Sequence, residues 1–404
     1  MLNVFTNIAL LLLLFNNCSS FFYKGYIRTM NKFSILFSLF FLANSISYSQ
    51  QVDKGNPISR KGDSTRSTRI LVLPALGYSQ ETGFQYGLTN LISFKLDKDT
   101  LTRISNISAI AVLTVKKQSI FSLKPDIWSR GNKYHYTADL RYRDFPINFY
   151  GVGDKTRKAD EERISQKLGR VGVQVEKLMR RGTYTGINLS YDNYRFSDKE
   201  PGGLYESNGF IRDKDGGEVI FTGLSQILDF RNSNTYTTSG TYIKLNYSVA
   251  PDLFGGENFS GSTTKLDFRT FKSFDLKTVL GFQVVYQTIQ GSATPFYLLP
   301  QLGNDEIMRG YYTGRYRNRS LLATQFELKY KIIPQVGVVG FGGTGSVYNN
   351  GLNIENFKPS YGAGIRYIFD VAKGLSLRMD YAFGEKRADE KRQKGFYIAF
   401  GEAF

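Results

Sequence analysis

Chemistry in a protein chain needs side chains that exchange protons, attack carbon or hold metal, and this sequence of 404 residues has few of them. Its one histidine, His135, stands among Lys133, Asp139 and Arg141 in an alternating segment. A hydrolase triad needs a serine activated by histidine, and His135 reads more simply as a polar wall residue. Asp160-Glu161-Glu162 is a run of carboxylates in a charged stretch, where solvation accounts for it. Neither EF-hand spacing nor a G-x-x-x-x-G-K-[ST] phosphate loop occurs. No catalytic residue, no metal ligand and no cofactor is therefore expected.

One basic residue stands out by its surroundings. Leu299 to Arg319, LPQLGNDEIMRGYYTGRYRNR, is a long polar stretch between two strongly alternating segments. Within it Met308-Arg309-Gly310-Tyr311 places an arginine and a glycine where a simple surface turn needs neither. A guanidinium does not lose its proton, so its chemistry is recognition of acceptors.

The elements around this loop have a period of two. From Lys133 to Arg143, Tyr134, Tyr136, Ala138, Leu140 and Tyr142 share one face, while His135, Thr137, Asp139 and Arg141 share the other. Between Ala323 and Ile332, Phe326, Leu328 and Tyr330 oppose Gln325, Glu327 and Lys329. In Leu375 to Phe383, Leu377, Met379 and Tyr381 oppose Ser376, Arg378 and Asp380. A helix cannot keep that separation, and a sandwich core would not set a charge opposite each apolar residue. A wall with lipid outside and water or polar side chains inside does.

Strands are expected near 69–78, 83–96, 103–115, 117–129, 132–143, 162–178, 183–196, 218–230, 240–250, 262–274, 276–290, 320–332, 335–348, 360–370, 374–384 and 395–404. The fold class is all-β, a transmembrane antiparallel β-barrel of about 16 strands. The long connections, Pro146 to Arg163, Ser197 to Gly217, Pro251 to Gly261 and Leu299 to Arg319, read as extracellular loops, and the short ones as periplasmic turns. The last strand is expected to run to the final residue, with Ile398, Phe400 and Phe404 on its apolar face.

Composition agrees. Phe and Tyr number 32 and 27, Gly 40, and hydrophobic residues make up only 41%, which suits a sheet apolar on its outer face alone. The net charge of +17 raises the question of nucleic acid, but the basic residues are spread through alternating strands and form no stripe or binding motif. Nucleic acid is not an expected partner; outer-membrane lipid is.

Ahead of the strands, residues 1–49 read as a signal region. Met30 opens the better signal, with Asn31-Lys32, an apolar run from Phe33 to Ile46 and a small-x-small site at Ser47-Tyr48-Ser49. The only cysteine, Cys18, follows Phe15-Asn16-Asn17, which lack the small residues of a lipoprotein site. Its removal with the signal would leave no disulfide or thiolate chemistry. Residues 50–67 read as a short periplasmic leader and 68–404 as the barrel.

From Glu218 onward the chain resembles the bacterial surface antigen family, the BamA/TamA group of outer-membrane barrels. Asp229-Phe230-Arg231 with Gly240 resembles the family's D-x-R-(x)8-G hairpin. Leu302-Gly303, Met308-Arg309-Gly310-Tyr311 and Gly314-Arg315 resemble its sixth extracellular loop, which folds inward. Gln325-Phe326-Glu327-Leu328-Lys329 resembles the following Q-x-E-L-R strand, and Gly362 to Arg366 and Leu377 to Tyr381 resemble the closing strands.

The resemblance implies a loop arginine paired with the Asp of an F-x-D-x-G strand. Here Phe341-Gly342-Gly343-Thr344-Gly345 has no carboxylate, so Glu327 and Asp380 are the expected partners of a latch formed by residues 308–311. It also implies a C-terminal assembly signal at Phe400 and Phe404, localisation in the bacterial outer membrane, and a role in outer-membrane protein insertion, assembly or polypeptide translocation through a lateral seam. That seam would lie between Thr68–Tyr78 and Gly395–Phe404. Implied partners are unfolded outer-membrane proteins and a separate periplasmic POTRA or chaperone protein, the leader being too short for a POTRA domain. The alternative is a porin-like barrel plugged by the 299–319 loop, with no insertase activity.

Overall fold

The computed structural model describes residues 68–404 apart from 80–82, 98, 100, 208, 210 and 255–257. The expected signal region and leader lie outside the described residues.

Sixteen antiparallel strands form one sheet: β1 (Arg69–Ser79), β2 (Gly83–Phe94), β3 (Ser105–Thr114), β4 (Ser119–Trp128), β5 (Tyr134–Phe149), β6 (Glu162–Arg180), β7 (Thr183–Ser197), β8 (Gly216–Asp229), β9 (Gly240–Ala250), β10 (Gly261–Ser273), β11 (Thr278–Gly291), β14 (Ser320–Ile333), β15 (Val336–Tyr348), β16 (Lys358–Asp370), β17 (Leu375–Phe383) and β18 (Lys394–Phe400). Neighbours in sequence are neighbours in the sheet. The interval between β11 and β14 holds a two-stranded ribbon, β12 (Gln301–Leu302) with β13 (Tyr316–Arg317).

The sheet has its polarity inside out. On β8, Leu224 is 62% exposed while its neighbour Ser225 is 2% exposed. On β14, Phe326, Leu328 and Tyr330 are exposed while Gln325, Glu327 and Lys329 are buried. Placing Arg or Lys on a lipid-facing position at mid-bilayer costs roughly 2–4 kcal/mol, so only one assignment of faces works: the apolar side meets lipid and the charged side lines the lumen. Aromatic residues mark both rims of the outer face, Phe84, Tyr86, Tyr247 and Tyr361 at one and Tyr330 and Tyr367 at the other.

Contacts between distant strands show the sheet curling round. Arg69 at the start of β1 donates to Asp370 at the end of β16, 2.9 Å away. The β8–β9 connection crosses one mouth, where Asn234 donates to the Ile104 carbonyl and Thr235 to that of Lys373. Among the described residues no ladder joins β1 to β18, so these two strands are the edges of the sheet.

Because the strands alternate in direction, the connections sort into two ends. The long ones, 150–161, 198–215, 251–260, 292–319, 349–357 and 384–393, share the loop end. The turn end has 95–104, 129–133, 181–182, 230–239, 274–277, 334–335 and 371–374.

Two boundaries differ from the sequence reading by more than two residues. β5 continues through Pro146 to Phe149, with Pro146 opposite Ser165 in the ladder, so the following loop begins at residue 150 and not at the proline. β18 ends at Phe400. Gly401 takes φ +76° and turns the chain out of the strand, and Phe404 is buried against Phe271 of β10. Phe404 is therefore not on the outer apolar face. Its ring is packed on the inside, which corrects the expectation that it extends the terminal strand.

Candidate functional site

The 292–319 connection folds inward as a hairpin. Leu302 pairs with Tyr316 and Gln301 with Arg317, which gathers the tip into residues 303–315. Gly303 takes φ +89°, and a Cβ there would come within 2.6 Å of Tyr311 Cβ. Asn304 Oδ1 accepts from the backbone N–H groups of Glu306 and Ile307 at 2.7 and 2.8 Å, closing a tight turn just before the tip. Leu302, Ile307, Met308, Tyr311 and Tyr316 then pack on Leu321, Ala323 and Val347 of the inner wall. This apolar wedge stabilises the loop in the lumen before any charge is counted.

At the tip Arg309 is fully buried. Its Nη1 donates to Asp380 Oδ2 at 2.6 Å and its Nη2 to Glu327 Oε1 at 2.5 Å. Its guanidinium carbon lies 3.6 Å from the centroid of the Phe341 ring, and its carbonyl accepts from Ser360 Oγ at 2.6 Å. Gly310 donates its N–H to the Tyr397 hydroxyl of β18 at 2.8 Å. The Tyr311 hydroxyl donates to the Pro359 carbonyl at 2.5 Å and accepts from the Glu385 N–H at 2.8 Å. Five consecutive strands, β14 to β18, thus each supply a contact to the three residues Arg309, Gly310 and Tyr311.

Gly343 faces the site across from Gln325, and a Cβ there would lie 2.4 Å from the Thr324 carbonyl oxygen and 2.8 Å from Gln325 Cβ. No side chain fits at this position without a shift, and the counter-charge to Arg309 comes from the neighbouring strands.

The ion pairs continue beyond the loop. Asp380 also accepts from Arg366 Nη1 at 2.5 Å and Arg378 Nη1 at 3.1 Å. Arg378 holds the loop residue Asp305 through its carboxylate, at 2.8 Å. Glu402 meets Arg366 Nε at 3.1 Å and Lys329 Nζ at 3.2 Å. Four cations, Arg309, Lys329, Arg366 and Arg378, are matched by four carboxylates, Asp305, Glu327, Asp380 and Glu402. The balance of charge lowers the cost of burying so many ions, although Arg309 Nε, Glu327 Oε2, Arg366 Nη2 and Arg378 Nε make no hydrogen bond among the described residues.

Sequence reasoning missed Arg366, Arg378 and Glu402. A signal existed: Arg366 and Arg378 are ladder partners on inward faces. Like charges directly opposite repel, which calls for carboxylates between them.

The loop end carries a second set of ties. Arg315 pairs with Glu390 at 2.5 Å, Glu390 also accepts the Lys158 N–H at 2.7 Å, and Arg387 donates to the Thr156 carbonyl at 2.9 Å. Glu385 takes the Tyr316 hydroxyl and the Lys358 ammonium. Three loops, 150–161, 292–319 and 384–393, are thereby joined. For Glu390, burial raises the carboxyl pKa, but the Arg315 guanidinium and the Lys158 N–H outweigh it and hold the group below the usual carboxylate range.

The hairpin residues lie apart from this site, at the turn end. Arg231 grips Asp229 with two bonds of 2.9 and 2.8 Å, Arg103 adds a third contact at 3.1 Å, and the Arg231 guanidinium stacks on Tyr242 at 4.3 Å. Gly240 takes φ +103°, and a Cβ there would lie 2.2 Å from the Phe230 carbonyl oxygen, which accounts for the glycine. His135 stacks on Trp128 and sits between Glu176, 2.5 Å away, and Asp126, 3.1 Å away. Ser225 donates to the same Glu176 at 3.0 Å, so the serine there meets a carboxylate and not the imidazole.

The sequence profile of the Omp85 superfamily domain matches residues 115–404. Among solved structures, the chain is similar to BamA from Haemophilus ducreyi lacking POTRA domains 1-3, with a TM-score of 0.52 and 12% identity over 83% of this chain and 70% of that one. It is also similar to CdiB from Acinetobacter baumannii, with a TM-score of 0.50 and 11% identity over 83% of this chain and 65% of that one. CdiB from Escherichia coli gives a TM-score of 0.50 and 11% identity, over 82% and 62%. The chain thus spans less than two thirds of the two CdiB chains, and at these identities the likeness is one of fold. No curated protein matches the sequence.

Proposed function

This chain belongs to the Omp85 superfamily, and from that premise we propose that it resides in the bacterial outer membrane and inserts other barrel proteins, or passes polypeptides, through the seam between β1 and β18. The observation that carries the reading is that β1 and β18 are the two edges of the sheet while the loop tip is tied to β18 itself, through Gly310 and Tyr397. An edge with unpaired N–H and C=O groups can template an incoming strand, and a latch on that edge can set how readily it separates. Pro74 in β1 removes one ladder donor and favours a weak closure. Unfolded outer-membrane proteins are the proposed clients, and a separate periplasmic POTRA or chaperone protein the proposed donor.

The test is reconstitution. Liposomes containing the protein should accelerate insertion of an urea-unfolded barrel protein, and a disulfide between cysteines placed in β1 and β18 should abolish the acceleration until it is reduced. Equal insertion rates with and without the protein would overturn the reading.

A plugged channel is the second reading, favoured by the burial of Met308 and Arg309 in the lumen. It expects bilayer conductance to rise when Arg309 is replaced, with no effect on client insertion.

A further inference from the structure

The two ends of the barrel differ in charge. The connections at the loop end, with the short 80–82 and 115–118 counted beside the long ones, contain sixteen Lys and Arg against seventeen Asp and Glu. Those at the turn end contain nine against three. The excess extends onto the adjoining strand ends, with Lys177 and Arg180 on β6 and Lys272 on β10.

Arg103 and Arg231 at the turn end share Asp229, but the surroundings of the other cations differ. At the loop end Arg157 pairs with Asp160, Lys199 with Asp215 and Arg315 with Glu390. At the turn end Arg130, Lys177, Arg180, Arg181, Lys272 and Lys277 are exposed, and none of them forms an ion pair among the described residues. Lys177 and Lys272 neighbour the inward-facing Glu176 and Phe271, so their own side chains point to the outer face, at the rim where lipid headgroups begin.

Exposed apolar residues are interleaved with them on the same or adjacent turns: Met179, Phe230, Phe274 and Leu276, the last 99% exposed. Lys272 lies over the Phe274 ring at 5.8 Å. These residues are spread around three connections of the turn end; only Phe274 and Leu276 share one, where they border an open hollow with Tyr236, Val279 and Lys331. A rigid protein partner would be expected to meet a packed groove, whereas a fluid interface accommodates scattered apolar tips with cations between them.

We propose that the turn end is a docking rim for anionic phospholipid, with these six cations holding headgroup phosphates while Met179, Phe230, Phe274 and Leu276 sit at the acyl boundary. Long basic side chains extend along apolar surface and place their charge among phosphates, and the attraction fades within a Debye length. The rim sets which leaflet the turn end faces and how deep the barrel sits. This inference rests on the reading of the chain as a membrane-embedded barrel.

The experiment uses the full chain reconstituted in nanodiscs of phosphatidylcholine alone or with one third phosphatidylglycerol. Folding is read by the heat-dependent shift in gel mobility and retained lipid by native mass spectrometry. Wild type should retain phosphatidylglycerol over phosphatidylcholine by about tenfold and unfold at a higher temperature in the anionic discs, with both effects reduced in 0.5 M salt. The variant Arg130→Gln, Lys177→Gln, Arg180→Gln, Arg181→Gln, Lys272→Gln, Lys277→Gln should fold in phosphatidylcholine and lose the preference. A variant with Lys116, Lys117, Lys155, Arg157, Lys386 and Lys391 changed to Gln should keep it. Equal retention by all three proteins, or loss in the loop-end variant alone, would overturn the rim, as would tight capture of an acidic protein without any lipid preference. Failure of wild type to enter either disc would instead overturn the membrane reading itself.

Discussion

Arg309 and Phe341 are stacked, guanidinium carbon over ring at 3.6 Å, on the inner face of the strand where the related motif has its carboxylate two positions further on. The aromatic face covers one side of the cation while Glu327 and Asp380 take its edge. A buried cation–π contact contributes about 2 kcal/mol. Phe341→Leu should therefore lower the temperature of the gel-mobility shift modestly and leave the loop protected. Full exposure of the loop to protease in this variant would show that the carboxylates alone cannot hold it.

Removing the cation itself is more severe. Arg309→Ala leaves Glu327 and Asp380 buried with fewer counter-charges, a loss on the order of 3–5 kcal/mol for a broken buried pair. Trypsin is expected to cut at Arg315 or Arg319 in this variant and not in wild type. Glu327→Gln combined with Asp380→Asn should give the same cleavage, since it strands the guanidinium. A protected loop in the double variant would refute the pairing as the anchor.

Gly310 has a narrower tolerance. At φ +103°, a Cβ would stand 2.7 Å from the Phe383 carbonyl carbon and 2.8 Å from the Gly384 nitrogen, both backbone atoms. Gly310→Ala should lift the tip and break the bond to Tyr397, at a cost above 1 kcal/mol. Tyr397→Phe removes only that bond, so it should be the milder change when the two are compared by protease half-life.

The tie among the loop-end segments depends on pH. Glu390 has its pKa held down in the folded protein by Arg315 and the Lys158 N–H against the opposing effect of burial. Its stabilisation is complete above the ordinary carboxylate pKa and disappears as pH falls through the depressed value. Cleavage in 150–161 should thus be slow at pH 7 and rise sharply only in strong acid. Glu390→Gln should cleave quickly at neutral pH, with a flatter profile.

Lys329 joins two parts of the lumen. Its Nζ lies 3.2 Å from Glu402 and 3.7 Å from Glu327, and donates to the Phe404 carbonyl at 3.5 Å. Lys329→Met should free residues 401–404 from the interior, read as faster maleimide labelling of Ala403→Cys, which is buried in the intact network. Lys329→Arg should restore slow labelling.

Much of this was legible in the sequence, for a physical reason. Where lipid meets one face and water the other, every second residue is constrained, and Phe326, Leu328 and Tyr330 against Gln325, Glu327 and Lys329 record the constraint directly. Arg309 was legible because it stands beside Gly310 in a motif that resembles an inward-folding loop, and a guanidinium carried inward must find acceptors. Pro146 misled because a proline lacks a donor, yet a ladder can leave that one bond unmade. Phe404 misled because alternation continues in the letters after Gly401 while the backbone has already turned. The Arg315–Glu390–Lys158 tie was not legible, since it joins loops distant in sequence and no local period records such a meeting.

Gly343 has one more consequence, for descent. The counter-charge sits at Glu327 and Asp380, on strands one and two places from the β15 of Gly343 in the wall, while the cation stays at the loop tip. Inward positions 327, 343 and 380 thus form one pool from which a lineage can draw its carboxylate. Because four charges of each sign are matched, a relative that loses one of the acids should regain it at another of these positions, and covariation among the three columns is the mark such exchanges would leave.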